Sequence, residues 1–425
     1  MPLSHTIAGI DIGTSKVVVA VAEPTAAGTP RVVGAGMARM RGMKAGAIVS
    51  FDDVAQSVAA AVAQAETTSG RTITSAWVTI SGTHVSCENA RGGTTLTSHP
   101  HEIHEVSDPD IQKALAAARP SPSEIGREVF LVVPRTFTVD GVRGITDPIG
   151  MTGHRLDAET HVVTGSTSQI TNFVRVIPPE IRVHEIVTQG LAAGESVATV
   201  DERDLGCVVI DIGAGTTDVS VFIDGAIWHT AVIGFGGQNC TNDIAYVLRT
   251  PVLEAEKLKV AHAHGVPGEV DAEPSLAVTL HNRSLNHVSR RLVAEIVAAR
   301  VVDIFELVRA ELGRSGLVGA LSAGAILTGG TATMPGIDLL AEQVLQMPAR
   351  VGTPGAAVNL GEAFRSPAFA AAIGVLAYGT RVELASAPAR PVRSGFGFGA
   401  ILDTIRRMIL ICAKSGGGVS PRTPA

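Results

Sequence analysis

Residues Cys207–Asp224 read CVVIDIGAGTTDVSVFID. A β-branched apolar run ends in Asp-Ile-Gly, a turn of Gly, Ala and Thr follows, and a second β-branched run begins. Two short strands joined by a glycine-bearing turn predict a β-hairpin. Ile7–Glu23, IAGIDIGTSKVVVAVAE, has the same plan, with Asp11-Ile12-Gly13 in the place of Asp211-Ile212-Gly213. The two triplets stand 200 residues apart. That is too far for a solenoid period and suits a duplicated α/β domain whose halves open on the same hairpin. The remaining pattern agrees. Strands are expected at Ser75–Ser81, Val129–Val139 and Ala325–Leu327, and a strand–turn–helix unit from Glu180–Ile186. Ser50–Thr68 places Val54, Val58, Ala61, Val62 and Ala65 on one helical face, and Asn286–Leu312 reads as a long amphipathic helix.

The chain has 425 residues, enough for two or three domains. Hydrophobic residues make up 45%, which excludes wholesale disorder. Net charge is −6 and there are only 15 aromatic residues (11 Phe, 2 Trp, 2 Tyr), so a nucleic-acid partner is not expected. The charge is uneven: residues from Arg381 onward carry seven basic and two acidic side chains, leaving −11 on residues 1–380. Cys87, Cys207, Cys240 and Cys412 are scattered without a CxxC pair, which reads as inert buried thiols in a reducing compartment. No signal peptide or membrane span is expected. Asp11 interrupts the first apolar run, and uncharged Gly316–Ile337 is studded with Gly, Ser, Thr and Pro.

Both hairpin turns have the makings of phosphate loops. Gly13, Thr14, Ser15 and Lys16 offer backbone N–H groups, hydroxyls and an ammonium in one turn. Gly213, Gly215, Thr216 and Thr217 do so in the other, where the closely spaced glycines allow close backbone approach. Asp11 and Asp211 end the strands leading in and are placed to hold a magnesium ion through water. Gly329, Gly330 and Thr331 close a later strand, where the missing Cβ atoms would admit a flat adenine or ribose. Each element alone also reads as a plain turn; their order is the specific signal.

That order resembles the actin/Hsp70/sugar-kinase superfamily of ATP-binding proteins, and within it the FtsA family of bacterial cell-division proteins. The resemblance runs from Ile7 to about Glu383. It includes Arg41–Gly46, Ile80–Cys87, Pro148–Gly153, Asp204–Gly206, Asp243–Tyr246 and Ala255-Glu256. It implies an actin-like, two-lobed fold of duplicated ribonuclease H-like domains, with ATP and Mg²⁺ between the lobes. Glu256 and Lys259 would meet the adenine and ribose; a solvated i,i+3 pair is the plainer reading. Gln189 falls where relatives carry the residue that orients the attacking water. As an amide it positions water but is no general base, and no other base stands out near the loops, so weak ATPase activity at most is expected.

The implied organisation is lobe 1 at 1–83, continued by 164–195 and 365–384, with an FtsA-type inserted subdomain at 84–163. Lobe 2 is 196–240 with 300–364, and its upper subdomain is 241–299. The insertion would serve contacts between protomers and with other divisome proteins. Arginines around the last long helix (Arg283, Arg290, Arg291, Arg300) would receive the C-terminal peptide of FtsZ; a solvated stripe is the alternative.

The end of the chain is readable by itself. Ala385–Gly399 is rich in Pro, Gly and Ser and forms a linker (385–397), and a polar Gly/Pro tail closes the chain at 415–425. Between them, at 398–414, Phe398, Ile401, Leu402, Ile405, Met408 and Ile409 share one helical face, with Arg406 and Arg407 on its flank. This C-terminal amphipathic helix fits an anionic membrane surface, or else docks on the body. The resemblance adds self-assembly into filaments and attachment of the FtsZ ring at the division site, on the cytoplasmic face of the cell membrane. A pilus-type actin homologue and a small-molecule kinase of the same superfamily are the competing readings.

Overall fold

The computed structural model describes residues 6–25, 29–97, 99, 101–120, 124–281, 284–355 and 361–386. It is an α/β protein of two related lobes with an inserted module.

The two quoted stretches are hairpins. Ile7–Ile12 pairs antiparallel with Lys16–Pro24, and Cys207–Ile212 with Thr217–Ile223. Each sits in the middle of a five-stranded sheet of the same design. In lobe 1 the order is Arg182–Thr188, Ser75–Ile80, Ile7–Ile12, Lys16–Pro24, Pro30–Arg39; in lobe 2 it is Ala349–Val351, Gly324–Thr328, Cys207–Ile212, Thr217–Ile223, Ala226–Ile233. In both, the first hairpin strand runs parallel to the neighbour on its other side. The central strands are wholly buried, as their β-branched runs require when helices cover both faces.

Helix Phe51–Ser69 buries Val54, Val58, Ala61, Val62 and Ala65 and ends on Gly70 in the left-handed region at φ 64. Its backbone lies so close to Pro30–Arg39 that a Cβ on Gly36 would fall 1.9 Å from the Ala61 carbonyl. On the other face lies helix Ala370–Ser386, packed on Gln189–Val197 through small residues; a Cβ on Gly374 would sit 1.6 Å from the Ala192 carbonyl. Lobe 2 gathers its core around helix Arg290–Ser315, where Val297, Val301, Phe305 and Val308 are almost fully buried. Burial of each such side chain contributes about 1.5–3 kcal/mol.

One expectation needs adjustment. The long helix begins at Arg290 rather than Asn286, because Leu285–Ser289 is a strand paired with Pro274–Thr279 and Ser289 caps the helix by accepting from the Leu292 N–H. The Gly329-Gly330 turn leads into a single 3₁₀ turn, Thr331–Thr333, and the next α-helix, Ile337–Leu345, starts only after Pro335-Gly336.

The inserted module has an antiparallel sheet in the order Val142–Ile145, Arg127–Val139, Arg155–Ser166, Ser86–Thr95. Helix Asp108–Ala117 covers it, giving a separate small core of Val106, Ile111, Ala114, Leu115, Phe137 and Leu156. Among the described residues no helix is long and apolar enough to cross a membrane. The expected tail helix Phe398–Lys414 lies outside them.

Candidate functional site

The two hairpin turns close alike: the Gly13 N–H donates to the Lys16 carbonyl at 3.0 Å and the Gly213 N–H to the Thr216 carbonyl at 2.9 Å. They meet across the lobes, so that a Cβ on Gly215 would lie 2.6 Å from the Thr14 hydroxyl. Above them opens a cavity of about 280 Å³. Asp11, Gly13, Thr14, Ser15, Lys16 and Gln189 line it from lobe 1; Asp211, Gly213, Thr216, Gly329, Gly330 and Thr331 line it from lobe 2, with Glu256 and Lys259 at one end.

Two sequence-derived candidates lie elsewhere. Gly215 is the contact with Thr14, outside the cavity lining. Thr217 is the first residue of its strand, where side chains alternate between faces. Its buried hydroxyl donates to the Phe235 carbonyl at 2.9 Å.

The cavity floor is a group of buried carboxylates. Asp211 and Asp218 are directly opposed across the second hairpin, and Asp11 couples to both from lobe 1. Burial raises Asp11, against hydrogen bonds from Thr79 at 2.6 Å and Gln189 at 2.8 Å. Burial first, then the charges of Asp218 and Asp11, hold Asp211 well above the ordinary carboxylate range. Burial also pushes Asp218 up to about 7, although Ser81 donates to it at 2.6 Å. Lys16 couples to Asp11 and Asp211. Its ammonium lies 4.3 Å from the Phe369 ring centroid, and burial pulls it below its ordinary value. Such a floor is short of positive charge. Hard oxygen donors in that state suit a magnesium ion brought with a polyphosphate, and Asp11 and Asp211, which line the cavity, are the two that could hold it.

The glycines of the third element differ. Gly329 has φ +88, and a Cβ there would be 2.3 Å from Asp211 Oδ1, so the fold itself demands glycine. A Cβ on Gly330 would meet nothing within 4 Å among the described residues. Glycine at that position leaves the cavity wall bare for a flat ligand. Thr331 donates to the Gly213 carbonyl at 3.3 Å and ties this turn to the second loop.

Glu256 and Lys259 form the i,i+3 pair, with Glu256 partly exposed and Lys259 largely buried. They meet at 2.8 Å, and the Lys259 ammonium also donates to the Gly237 carbonyl at 3.0 Å and the Thr241 hydroxyl at 2.9 Å. Beside them Val260, Ala263, Val297 and Met334 give this end an apolar wall.

Sequence reasoning missed two contributors. Asp218 is a third buried carboxylate beneath the loops, behind the cavity lining, visible only as the last residue of the Asp211–Asp218 turn. Gly237 and Gln238 start helix Gly237–Leu248, and their N–H groups donate to the Gly213 and Ala214 carbonyls at 2.9 and 2.8 Å, bringing a helix N-terminus to the cavity. The signal was the Gly236-Gly237 pair ahead of a helix.

The arginines are outside the cavity. Arg291 Nε donates to the Val270 carbonyl at 3.0 Å. Arg300 grips Asp243 with Nε and Nη2 at 2.6 and 3.1 Å and reaches Asp303 with Nη1 at 3.1 Å. Arg290 opens the same helix, Arg290–Ser315. Arg283 and the tail residues Phe398, Ile401, Leu402, Ile405, Arg406, Arg407, Met408 and Ile409 lie outside the described residues.

Comparison with known proteins bears on this arrangement. The family described as cell division protein FtsA matches residues 208–374, and the SHS2 domain inserted in FtsA matches residues 82–164. The cell division protein FtsA of Pseudomonas aeruginosa is 38% identical over 379 residues, covering 89% of this chain and 90% of that protein. That of Escherichia coli K12 is 32% identical over 387 residues, covering 89% and 91%. Among solved structures, the PilM–PilN type IV pilus biogenesis complex superposes with a TM-score of 0.62 at 16% identity, covering 88% of this chain and 98% of the other. MreB5 of Spiroplasma citri bound to ADP does so with a TM-score of 0.50 at 13% identity, covering 88% and 95%. These likenesses show the actin-like fold.

Proposed function

Since the chain belongs to the FtsA family of cell division proteins, we propose that it binds ATP with Mg²⁺ between its lobes, assembles into filaments at the cytoplasmic membrane and attaches the FtsZ ring there. The observation that carries the nucleotide reading is the opposed pair of Asp-Ile-Gly turns over one cavity. Backbone N–H groups of both turns, Lys16 and the start of helix Gly237–Leu248 supply positive potential for phosphates. Magnesium would neutralise Asp11 and Asp211 together with the phosphates. Gly329, Gly330 and Thr331 would bound the adenosine, and Glu256 and Lys259 its far end. The solved MreB5 structure, of the same fold, is described as bound to ADP.

Gln189 is held by Asp11 at 2.8 Å. In that position it would orient a water without accepting its proton, so ATP acts chiefly as a ligand that joins the lobes, with slow turnover. Arg290, Arg291 and Arg300 would receive the carboxylates of the FtsZ C-terminal peptide, with Asp243 exchanging its place on Arg300 for the peptide. The inserted module would carry contacts between protomers and with further divisome proteins. The helix over Phe398–Lys414 would bind anionic lipid through its apolar face and Arg406 and Arg407, which makes the protein peripheral. The linker and tail favour this over a small-molecule kinase, and the family membership favours it over a pilus-type scaffold.

Calorimetry of Mg-ATP binding to the parent and to Gly213→Asp tests the nucleotide reading. The variant adds bulk and a fourth carboxylate beside the buried three and should lose ATP binding; equal affinity in both would displace the site.

A further inference from the structure

Three side chains meet at the seam between the inserted module and lobe 2. Cys87 lies on the module's edge strand Ser86–Thr95, His229 on lobe 2's edge strand Ala226–Ile233, and Glu311 on helix Arg290–Ser315. Cys87 Sγ is 3.6 Å from His229 Nδ1, and His229 Nε2 is 2.9 Å from Glu311 Oε1. The Thr230 N–H donates to the same sulfur at 3.3 Å. The two edge strands share no ladder; Asn89 bridges them by donating to the Trp228 carbonyl at 2.9 Å, and Arg135 of strand Arg127–Val139 places its guanidinium 3.4 Å from the Trp228 ring centroid.

The order thiol, imidazole, carboxylate is the arrangement that lets a thiol lose its proton as it attacks. We propose that Cys87 is a modification site, a thiol that exchanges with small disulfides using His229 as proton acceptor and Glu311 to hold the imidazole. The inference stands apart from the nucleotide reading. Burial raises the Cys87 thiol above its ordinary value, so the resting sulfur is protonated and depends on a base. Burial works against charge on Glu311 too, but Arg314 and His229 hold it below the ordinary carboxylate range, leaving an anion to stabilise the imidazolium.

In the exchange the Sγ proton passes to His229 Nδ1, and Sγ attacks one sulfur of the disulfide. A new S–S bond forms as the old one breaks, and the second sulfur leaves as a thiolate that is protonated by His229 or by solvent. The Cys87 sulfur rises from thiol to disulfide level as the leaving sulfur falls from disulfide to thiolate level, so the step needs no further oxidant. The other described cysteines have no such setting. Cys207 and Cys240 are fully buried, with their thiols pushed up to about 12 and about 11, chiefly by burial.

The test uses the full chain with Cys412→Ser and the aromatic disulfide dithiobis(nitrobenzoate), followed by release of its coloured thiolate. One thiol should react, and Cys87→Ser should remove that phase. His229→Gln should slow it by about tenfold or more, and Glu311→Gln should slow it less. An unreactive Cys87, or a His229→Gln variant that reacts as fast as the parent or faster, overturns the proposal, because a merely space-filling imidazole would expose the sulfur when trimmed. Should His229→Gln unfold the chain, Cys207 and Cys240 would react as well. Glu311→Gln then decides, with slowing expected and an unchanged rate contradicting it.

Discussion

The Ser81 hydroxyl, at the end of a lobe 1 strand, donates to the Asp218 carboxylate of lobe 2 at 2.6 Å. It also lies 3.1 Å from the Thr216 hydroxyl. The bond crosses between lobes beneath the two turns, in a place free of solvent. Among the described residues Asp218 Oδ1 has no partner of good hydrogen-bond geometry, although the Gly190 N–H and the Thr216 hydroxyl lie close enough to favour its charge. Burial and the charge of Asp11 nevertheless favour the protonated form, so the junction between the lobes carries a pH dependence.

An unfolded Asp titrates near about 4, whereas burial pushes Asp218 up to about 7 in the fold. A raised folded value means stability that is full below about pH 4 and lost as the pH climbs through about 7. The ligand-free chain should unfold at a lower temperature at pH 8 than at pH 5, by an effect on the order of a few kcal/mol. Asp218→Asn should flatten much of the slope; Asp11 and Asp211 shift in the same direction and retain some of it. Thermal melts at several pH values check this, and an unchanged slope in Asp218→Asn would count against it.

Gly329→Ala should both destabilise the chain and weaken ATP binding. The residue has φ +88, and its new methyl would press on Asp211 Oδ1. Strain of this kind costs about 1–3 kcal/mol. The new methyl of Gly330→Ala meets no atom of the described residues within 4 Å, so this variant should keep the parent's melting temperature while losing ATP affinity. Melts and calorimetry on the two variants separate the demands of the fold from those of the ligand.

The difference between those glycines marks how far the sequence can be read. The repeated Asp-Ile-Gly hairpins and the glycine pair were legible because local turn chemistry dictates them, and the cavity does bring Asp11, Lys16, Asp211, Gly329 and Glu256 together. What escaped notice depends on which strands face each other. Thr216 lines the cavity while its neighbour Thr217 turns to Phe235. Asp218 becomes unusual only through its opposition to Asp211 and its bond to Ser81. Cys87, read as inert, gained His229 from a strand 142 residues away. Periodicity also ran the long helix back past Ser289 to Asn286, since Val288 fits a helical face until Pro274–Thr279 pairs with its strand.

Arg300→Glu should weaken binding of the FtsZ C-terminal peptide and leave ATP affinity intact. In the free chain it would place a carboxylate against Asp243, now held at 2.6 Å, so the double change Arg300→Asp with Asp243→Arg separates peptide contact from local repulsion. If the peptide is received by Arg300, the swapped variant should melt like the parent and still bind the peptide poorly. Fluorescence anisotropy of a labelled peptide reads this out; full binding by Arg300→Glu would move the site.

Attachment to a membrane divides between a body that would bind nucleotide and a tail that would bind lipid. Residues 1–380 carry a net charge of −11 and should be repelled by anionic lipid. The apolar face over Phe398–Ile409, with Arg406 and Arg407, should therefore supply the attachment. The most direct measurement is co-sedimentation with anionic vesicles in Mg-ATP. The chain, a truncation lacking residues 396–425 and the full-length double variant Ile405→Glu with Ile409→Glu should be compared, each checked by thermal melting. The parent should sediment, less at high salt but not abolished, because apolar burial survives screening. The truncation and the double variant should stay in solution with the parent's melting temperature and ATP affinity. Sedimentation of either variant with the vesicles, or loss of the fold when the tail is changed, would contradict the account.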